Sequence, residues 1–383
     1  MSDRAEVVFV AGEPSGDLHA GLLAEEMAAS AEISIQAVGG ARLAAAGAEM
    51  LIDSSDWGVM GLPAALRQAP VCWLALRRVR KLLVAEGPAL LVLVDFGAGN
   101  MHLLRKLGLR RPRCFYYFPP GSWSRERRDY SELARLTDCV ATPFPWSEKL
   151  LRAQGVNAHF VGHPVIDRVQ ALDDASSVRR ELGVPEGARC LGLLPGSRAV
   201  ERRLLGPEMI GAAAKLMQRM PDLYVLFSPP PSSAGGDDRH IDLEQLGERV
   251  SVVADSIRLM QASDLVITAF GTATLEAAAA LCPMIGVYRG TWAMWLQFRL
   301  MKMRTDIYAM PNIIAGERIV PEFIQPDETS AERLAAVAGD LLDDEGARLA
   351  MKGRLRGVRE LLGPPGATQR AAALALMTMA GSG

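Results

Sequence analysis

Three stretches of the 383-residue chain combine carboxylates, hydroxyls, glycines and an arginine in ways that suit group transfer from a phosphate-bearing carrier. The first, AGEPSGDLHA (11–20), runs from an apolar segment into a turn holding Glu13, Ser15, Gly16 and Asp17. Ser15 or Asp17 could simply cap the helix that follows, whereas a carboxylate before a proline at a strand end, Glu13, has little structural purpose. The second, LLPGSRAVER (193–202), places Arg198 and Glu201 after a Pro-Gly-Ser turn. A guanidinium there can grip a diphosphate bidentately, and the plainer alternative is a surface ion pair with the nearby glutamate. The third, TAFGTATLEAAAALCPMIG (268–286), opens a helix with Gly271, Thr272 and Thr274, so its terminal amides suit a phosphate. Glu276, one turn on, either accepts from ribose hydroxyls or is a buried capping carboxylate. Taken together, the second and third stretches point to a nucleotide diphosphate.

Transfer to a hydroxyl also needs a base. Asp95, at the end of LLVLVDFG, is the best placed carboxylate, with Glu13 and His19 in reserve. His163, before Pro164, reads as a structural histidine. The five histidines show no ligand spacing with cysteine or carboxylate, which argues against a metal site. A P-loop and a Gly-x-Ser-x-Gly nucleophile elbow are both missing.

Those residues must be positioned by a larger pattern. Short apolar runs (EVVFVAG, ISIQAVGG, LLVLVDFG, RCFYYFPP, CVATPF, AHFVGHP) alternate with helical segments, and a second series follows from RCLGLLPGS to MIGVYRG. Such alternation predicts two doubly wound α/β domains, with ligands outside the carboxyl ends of the strands. The boundary is expected between VGHPVID (161–167) and RCLGLLPGS (189–197), and PPPSSAGGDD (229–238) reads as a surface loop.

Composition excludes several classes. Forty-two basic residues nearly balance 44 acidic ones, so no overall charge favours nucleic acid. Five scattered cysteines form no disulfide or zinc framework, which predicts a reduced, cytoplasmic setting. The first apolar run is too short for a signal peptide, and no run reaches the length of a membrane span. Two stretches suit contact with a membrane surface: 57–83, where Trp57, Met60, Leu62, Leu66 and Trp73 accompany a basic run ending at Lys81, and TWAMWLQFRLMKMR (291–304). The alternative is an ordinary core face with a solvated basic edge.

AGEPSGDLHA, GVMGLPAAL, VGHPVID, LLPGSRAVE, GTATLEAA and MPNIIAGERIVPEFIQ stand in the order and approximate spacing found in the lipid-A-disaccharide synthase family, which the chain resembles over nearly its whole length. The resemblance implies a GT-B glycosyltransferase: an N-terminal acceptor-side domain (1–167, with helix 366–383 packed back on it) and a C-terminal donor domain (168–365), facing a cleft. It implies an inverting, metal-free and cofactor-free transfer of an acylated glucosaminyl unit from a UDP carrier to an acylated glucosamine 1-phosphate. A homodimer and peripheral contact with the inner face of the cytoplasmic membrane accompany it as expectations. Arg198, Glu201, Gly271, Thr272, Thr274, Glu276, Asn312 and Gln325 would surround the donor. Glu13 and Asp95 would serve catalysis, and Ser15, Gly16, Asp17 and Trp123 the acceptor side.

The chain departs from the family at three points. Its LVLVDFGAGN stands where the family resembles Asp-x-Pro-Asp-Phe-Asn: aligned on the strand, Ala98 takes the position of the second, basic Asp; aligned on the following helix, Asp95 does. YYFPPGSWSRER keeps Trp123 but not a second Trp, and Phe270 replaces a Ser. A GT-B-shaped nucleotide-sugar-binding protein without catalysis is therefore the alternative reading, with the placement of Asp95 as discriminator. A nucleotide-sugar epimerase would share the fold but not explain MPNIIAGERIVPEFIQ.

Overall fold

The structure is a computed structural model that describes residues 5–55, 57, 62–126, 128–170, 174–229, 241–290 and 307–381, with residues 62–69 and 170 as backbone only. The chain divides into two compact units, residues 1–167 with 362–383, and residues 168–361.

The first unit is built on a seven-stranded sheet of order β3-β2-β1-β4-β5-β6-β7, from β1 (Ala5–Ala11), β2 (Ile33–Gly39), β3 (Glu49–Asp53), β4 (Leu90–Val94), β5 (Cys114–Tyr117), β6 (Cys139–Thr142) and β7 (Ala158–Phe160). All neighbours pair in parallel. The apolar runs are continuous rather than alternating because both sheet faces are covered; Val7 through Ala11 and Leu90 through Val94 are wholly buried. The crossover helices relevant to the site are α1 (Pro14–Ser30), α2 (Ala41–Ala45), α3 (Leu62–Glu86) and α4 (Gly97–Leu107). Pro14 occupies the first turn of α1, where its missing N–H costs nothing.

The C-terminal helix Ala367–Ala380 completes this unit. Ala371, Ala372 and Ala375 share a core with Phe9, Leu23 and Met27. Arg370 donates to the Val161 carbonyl at 2.8 Å, and the Asp167 carboxylate accepts from the Gly366 amide at 2.6 Å.

The second unit repeats the plan with a six-stranded parallel sheet of order β10-β9-β8-β11-β12-β13: β8 (Arg189–Leu194), β9 (Leu223–Phe227), β10 (Val250–Val252), β11 (Leu265–Ala269), β12 (Met284–Val287) and β13 (Glu322–Phe323). In each sheet the chain leaves two adjacent central strands toward opposite sides, β1 and β4 in the first, β8 and β11 in the second. Ligands of doubly wound sheets collect at such switch points. Glu13 and Asp95 follow the first pair of strands, and Arg198 and Gly271 follow the second.

No described helix is long and apolar enough to cross a membrane. Trp57, expected at an apolar surface, is buried instead, with its ring 5.6 Å from that of Phe96. Trp73 is about half exposed, at 48%. Met60, residues 291–304, most of PPPSSAGGDD and the side chains of Leu62 and Leu66 lie outside the described residues.

Candidate active site

Pairing of Ala11 with Val94 sets Gly12 and Asp95 side by side at the end of the first sheet. Asp95 and Phe96 both take left-handed backbone conformations, with φ of +50° and +48°, before α4 begins. Each such residue costs about 1–3 kcal/mol and persists only where its surroundings over-determine it. Here they do. The Asp95 carbonyl accepts from the Tyr116 hydroxyl and from the side-chain amide of the fully buried Asn100, both at 2.8 Å, and its N–H donates to the Tyr117 carbonyl at 3.0 Å. The Phe96 ring sits between two glycines: a Cβ at position 12 would lie 2.3 Å from its Cγ, and one at position 99 only 1.8 Å from Cε1.

This framework presents the Asp95 side chain, half-buried, toward the first turn of α1. The Ser15 hydroxyl donates to Asp95 Oδ2 at 3.5 Å, and the Gly16 Cα lies against the same side chain, since a Cβ there would approach Asp95 Cβ to 3.4 Å. Burial pushes the Asp95 carboxyl above the usual carboxylate range, while the Phe96 amide and the Ser15 hydroxyl pull it down. A carboxylate raised by burial is suited to accept a proton. Ala98 lies exposed on the first turn of α4 and offers no such group. Glu13, half-buried in extended conformation, is the N-cap residue of α1, two positions before Ser15.

Asp17, expected on the acceptor side, binds the backbone of its own domain. It is buried, and its two oxygens accept from the amides of Gly40, Arg42 and Leu43 at 2.7, 2.9 and 3.3 Å. It thus caps α2 and ties that helix to α1. His19 is buried and stacks on Phe118 at 4.3 Å, packed within a cluster with Tyr117 and His163, so its reserve role as base finds no support. His163 Nδ1 accepts from the Val165 amide at 3.1 Å, and burial, together with His19, holds its pKa well below the usual histidine value. It is a neutral structural residue. Trp123 is 46% exposed, with the Arg128 guanidinium 5.7 Å from its ring centre.

In the second unit, β8 leads through Pro195, Gly196 and Ser197 to Arg198, the N-cap residue of helix Ala199–Arg219. Gly196 has φ +105°, and a Cβ there would lie 2.4 Å from a Glu201 oxygen. The close approach lets buried Glu201 reach back to the Arg198 amide at 3.4 Å and pair with its guanidinium at 2.9 Å. Glu201 therefore holds the turn and orients Arg198, whose side chain stays 39% exposed while paired with it. The fully buried Arg202, unremarked in the sequence reading, donates to the Ser197 carbonyl at 2.7 Å and braces the same turn from below.

After β11, Gly271 is exposed and Thr272 half-buried at the start of helix Thr272–Ala279. Thr274 is fully buried, and its hydroxyl donates to the Gly271 carbonyl at 2.7 Å. Glu276 is also buried: one oxygen pairs with Arg168 and the other accepts from the Ser256 hydroxyl at 2.8 Å. Asn312, wholly buried, accepts from the Ile319 and Val320 amides at 2.7 and 2.9 Å and donates to the Val320 carbonyl at 3.0 Å. The side chains of Glu201, Thr274, Glu276 and Asn312 thus all have partners within the framework. Arg198, the turn at Gly271 and Thr272, and Gln325, exposed beyond β13, remain open to a ligand.

Phe270, at the position where the family carries Ser, lies over Gly286 with its ring parallel within 7° to those of Tyr288 and Tyr308, at 6.2 and 6.4 Å. Burial, reinforced by Glu201, pushes the Tyr288 hydroxyl up to about 12. Among the described residues no group of three or more His, Cys, Asp or Glu side chains converges as a metal site would.

Comparison with known proteins bears on the whole chain. The family model described as lipid-A-disaccharide synthetase matches residues 7–375. The lipid-A-disaccharide synthase of Geobacter sulfurreducens is 36% identical over 372 residues, covering 97% of this chain and 96% of that protein. That of Myxococcus xanthus is 33% identical over 381 residues, covering 97% of each. Among solved structures, a UDP-N-acetylglucosamine 2-epimerase from Neisseria meningitidis bound to UDP-GlcNAc superposes with a TM-score of 0.59 at 11% identity, covering 97% of this chain and 99% of that one. A kitacinnamycin glycotransferase superposes with a TM-score of 0.55 at 16% identity, covering 99% and 100%. These likenesses establish the two-domain GT-B fold, and the expected α/β architecture holds. The extent and identity of the matches decide the rest: the chain belongs to the lipid-A-disaccharide synthase family of glycosyltransferases.

Proposed function

We propose that the protein transfers an acylated glucosaminyl unit from UDP to an acylated glucosamine 1-phosphate, with inversion at the anomeric carbon. The acceptor hydroxyl oxygen attacks the anomeric carbon opposite the UDP, the bond from that carbon to the diphosphate oxygen breaks, and Asp95 takes the hydroxyl proton. The hydrogen bond from Ser15 to Asp95 is the observation that carries this reading. It marks a strand-end carboxylate, on a strained and over-determined backbone, as the group turned toward the α1 turn. Asp95, not Ala98, is the residue turned toward that turn, and this supports an enzyme over a binding protein without catalysis.

On the donor side, Arg198 and the amides at the start of helix Thr272–Ala279 would neutralise the charge growing on the departing diphosphate. Fold neighbours solved with UDP, among them one from Staphylococcus aureus, support a uridine diphosphate carrier. Contact with the inner face of the cytoplasmic membrane belongs to this reading: both proposed substrates carry acyl chains, and half-exposed Trp73 beside basic residues of α3 supports it. The test is a screen of UDP-sugars with acylated and unacylated acceptors, scored by UDP release. Turnover only with an acylated pair supports the reading, and failure to bind or consume any UDP-sugar rejects it.

A further inference from the structure

Beside Asp95, the chain leaving β5 builds a loop that ends on an arginine. The Asp95 amide donates to the Tyr117 carbonyl at 3.0 Å, and the next residue, Phe118, turns the chain with φ +57°. Pro120 then lies on the start of α4: a Cβ at Gly97, two residues past Asp95, would meet it at 2.8 Å. Two tight turns follow, closed by the Ser122 amide on the Pro119 carbonyl at 3.1 Å and by the Ser124 amide on the Gly121 carbonyl at 2.9 Å. Ser122 and Ser124 are buried, and Trp123 between them is exposed.

Arg128 folds back across this loop. Gln154 fixes the backbone around it, accepting from the Tyr130 amide at 2.8 Å and donating to the Arg128 carbonyl at 2.6 Å. The guanidinium stands 5.7 Å from the centre of the Trp123 ring and also reaches Gly121, where a Cβ would lie 3.0 Å from Nη1. Its charge therefore sits next to the residue that follows Pro120, on the flank of Asp95. Among the described residues Arg128 has no acidic partner, and Asp129, beside it in sequence, accepts from the Ser131 amide at 2.9 Å instead. On the other flank, Arg42 packs beside Gly21, roughly 7 Å farther along α1 than the Gly16 that touches Asp95.

We propose that Arg128 binds the phosphate of the acceptor sugar, with Trp123 supporting the flat face of the guanidinium while its edge grips two phosphate oxygens. The planar fork matches a phosphate, and an aromatic face beneath it leaves the in-plane N–H groups directed outward. A cation is needed there on electrostatic grounds as well, because the acceptor otherwise brings a phosphate charge up to the Asp95 carboxylate with nothing to offset the repulsion. The proposal rests on the acceptor named in the reading above. It adds the residue that selects a phosphorylated sugar over its unphosphorylated counterpart.

The test uses the full chain with a UDP-linked acylated glucosamine and two acceptors, acylated glucosamine with and without its 1-phosphate, scored by UDP release. The parent prefers the phosphorylated acceptor. Arg128→Gln raises KM for that acceptor about 10–100-fold, leaves kcat/KM for the unphosphorylated one within about twofold, and does not change the Kd for UDP. Arg128→Lys, which keeps the charge and loses the fork, recovers part of the preference. Arg110→Gln removes an exposed charge at the opposite end of the sheet, after α4, and keeps the preference whole. An Arg128→Gln enzyme that still prefers the phosphorylated acceptor as the parent does, or that loses activity equally on both acceptors, overturns the phosphate contact. A parent that turns over both acceptors alike rejects this site alone, whereas a parent that turns over neither rejects the reading on which it rests.

Discussion

The hydroxyl of Ser15, in the first turn of α1, donates to the carboxylate of Asp95, beyond the end of β4, at 3.5 Å. The contact joins the segments that follow the two strands flanking the switch point, so the carboxylate proposed as the proton acceptor is tuned by a residue 80 positions away in sequence.

Removing that hydroxyl has a signed consequence. Burial raises the Asp95 pKa and Ser15 lowers it, so Ser15→Ala raises it further. A base works only when ionised, so the acidic limb of the profile of kcat/KM against pH moves to higher pH. Activity falls most in acid and recovers in alkali. An acidic limb that stays in place, or moves down, contradicts the coupling.

The glycine beneath Phe96 is a second point of control. Gly12→Ala drives a Cβ to 2.3 Å from the Phe96 ring, and the aromatic cannot retreat because Gly99 closes its other side. Overpacking of this kind costs about 1–3 kcal/mol and displaces the left-handed pair at Asp95 and Phe96. Thermal melting of the variant should show the loss of stability, together with a reduced kcat. A variant as stable and as active as the parent would show that the ring is not clamped.

Asn312 and Arg198 should separate framework from ligand contact. Asn312→Ala strips partners from buried loop groups at Ile319 and Val320 and costs about 3 kcal/mol, a Tm drop of about 6–10 °C. Arg198→Gln keeps the helix cap from Glu201 to the backbone but weakens UDP binding about 10–100-fold. Calorimetric titration with UDP beside a melt distinguishes the two. The reverse pattern would return Asn312 to the donor and make Arg198 a surface ion pair.

Much of this plan was legible from residue types alone. Continuous apolar runs such as those at Phe9 and Val92 announce parallel strands covered on both faces, and a strand-end carboxylate such as Asp95 announces chemistry. What could not be read was which polar groups stay available. Asn312 spends its amide on residues seven and eight positions away, Glu276 on Arg168, 108 positions away, and Asp17 on amides of α2. A side chain that satisfies its own loop and one that meets a ligand have the same composition and spacing; only the partners differ. The choice between Asp95 and Ala98 likewise rested on backbone sign and on Tyr116 and Asn100, none of which belongs to a motif.

The most direct test replaces the proposed base. Asp95→Asn keeps the size of the side chain and its hydrogen bond with Ser15 while removing the proton acceptor. With UDP-linked acylated glucosamine and an acylated acceptor, kcat should fall by about 10²–10⁴-fold while the Kd for UDP stays within a few fold. An Asp95→Asn enzyme that turns over as fast as the parent would contradict the assignment of Asp95 as the base.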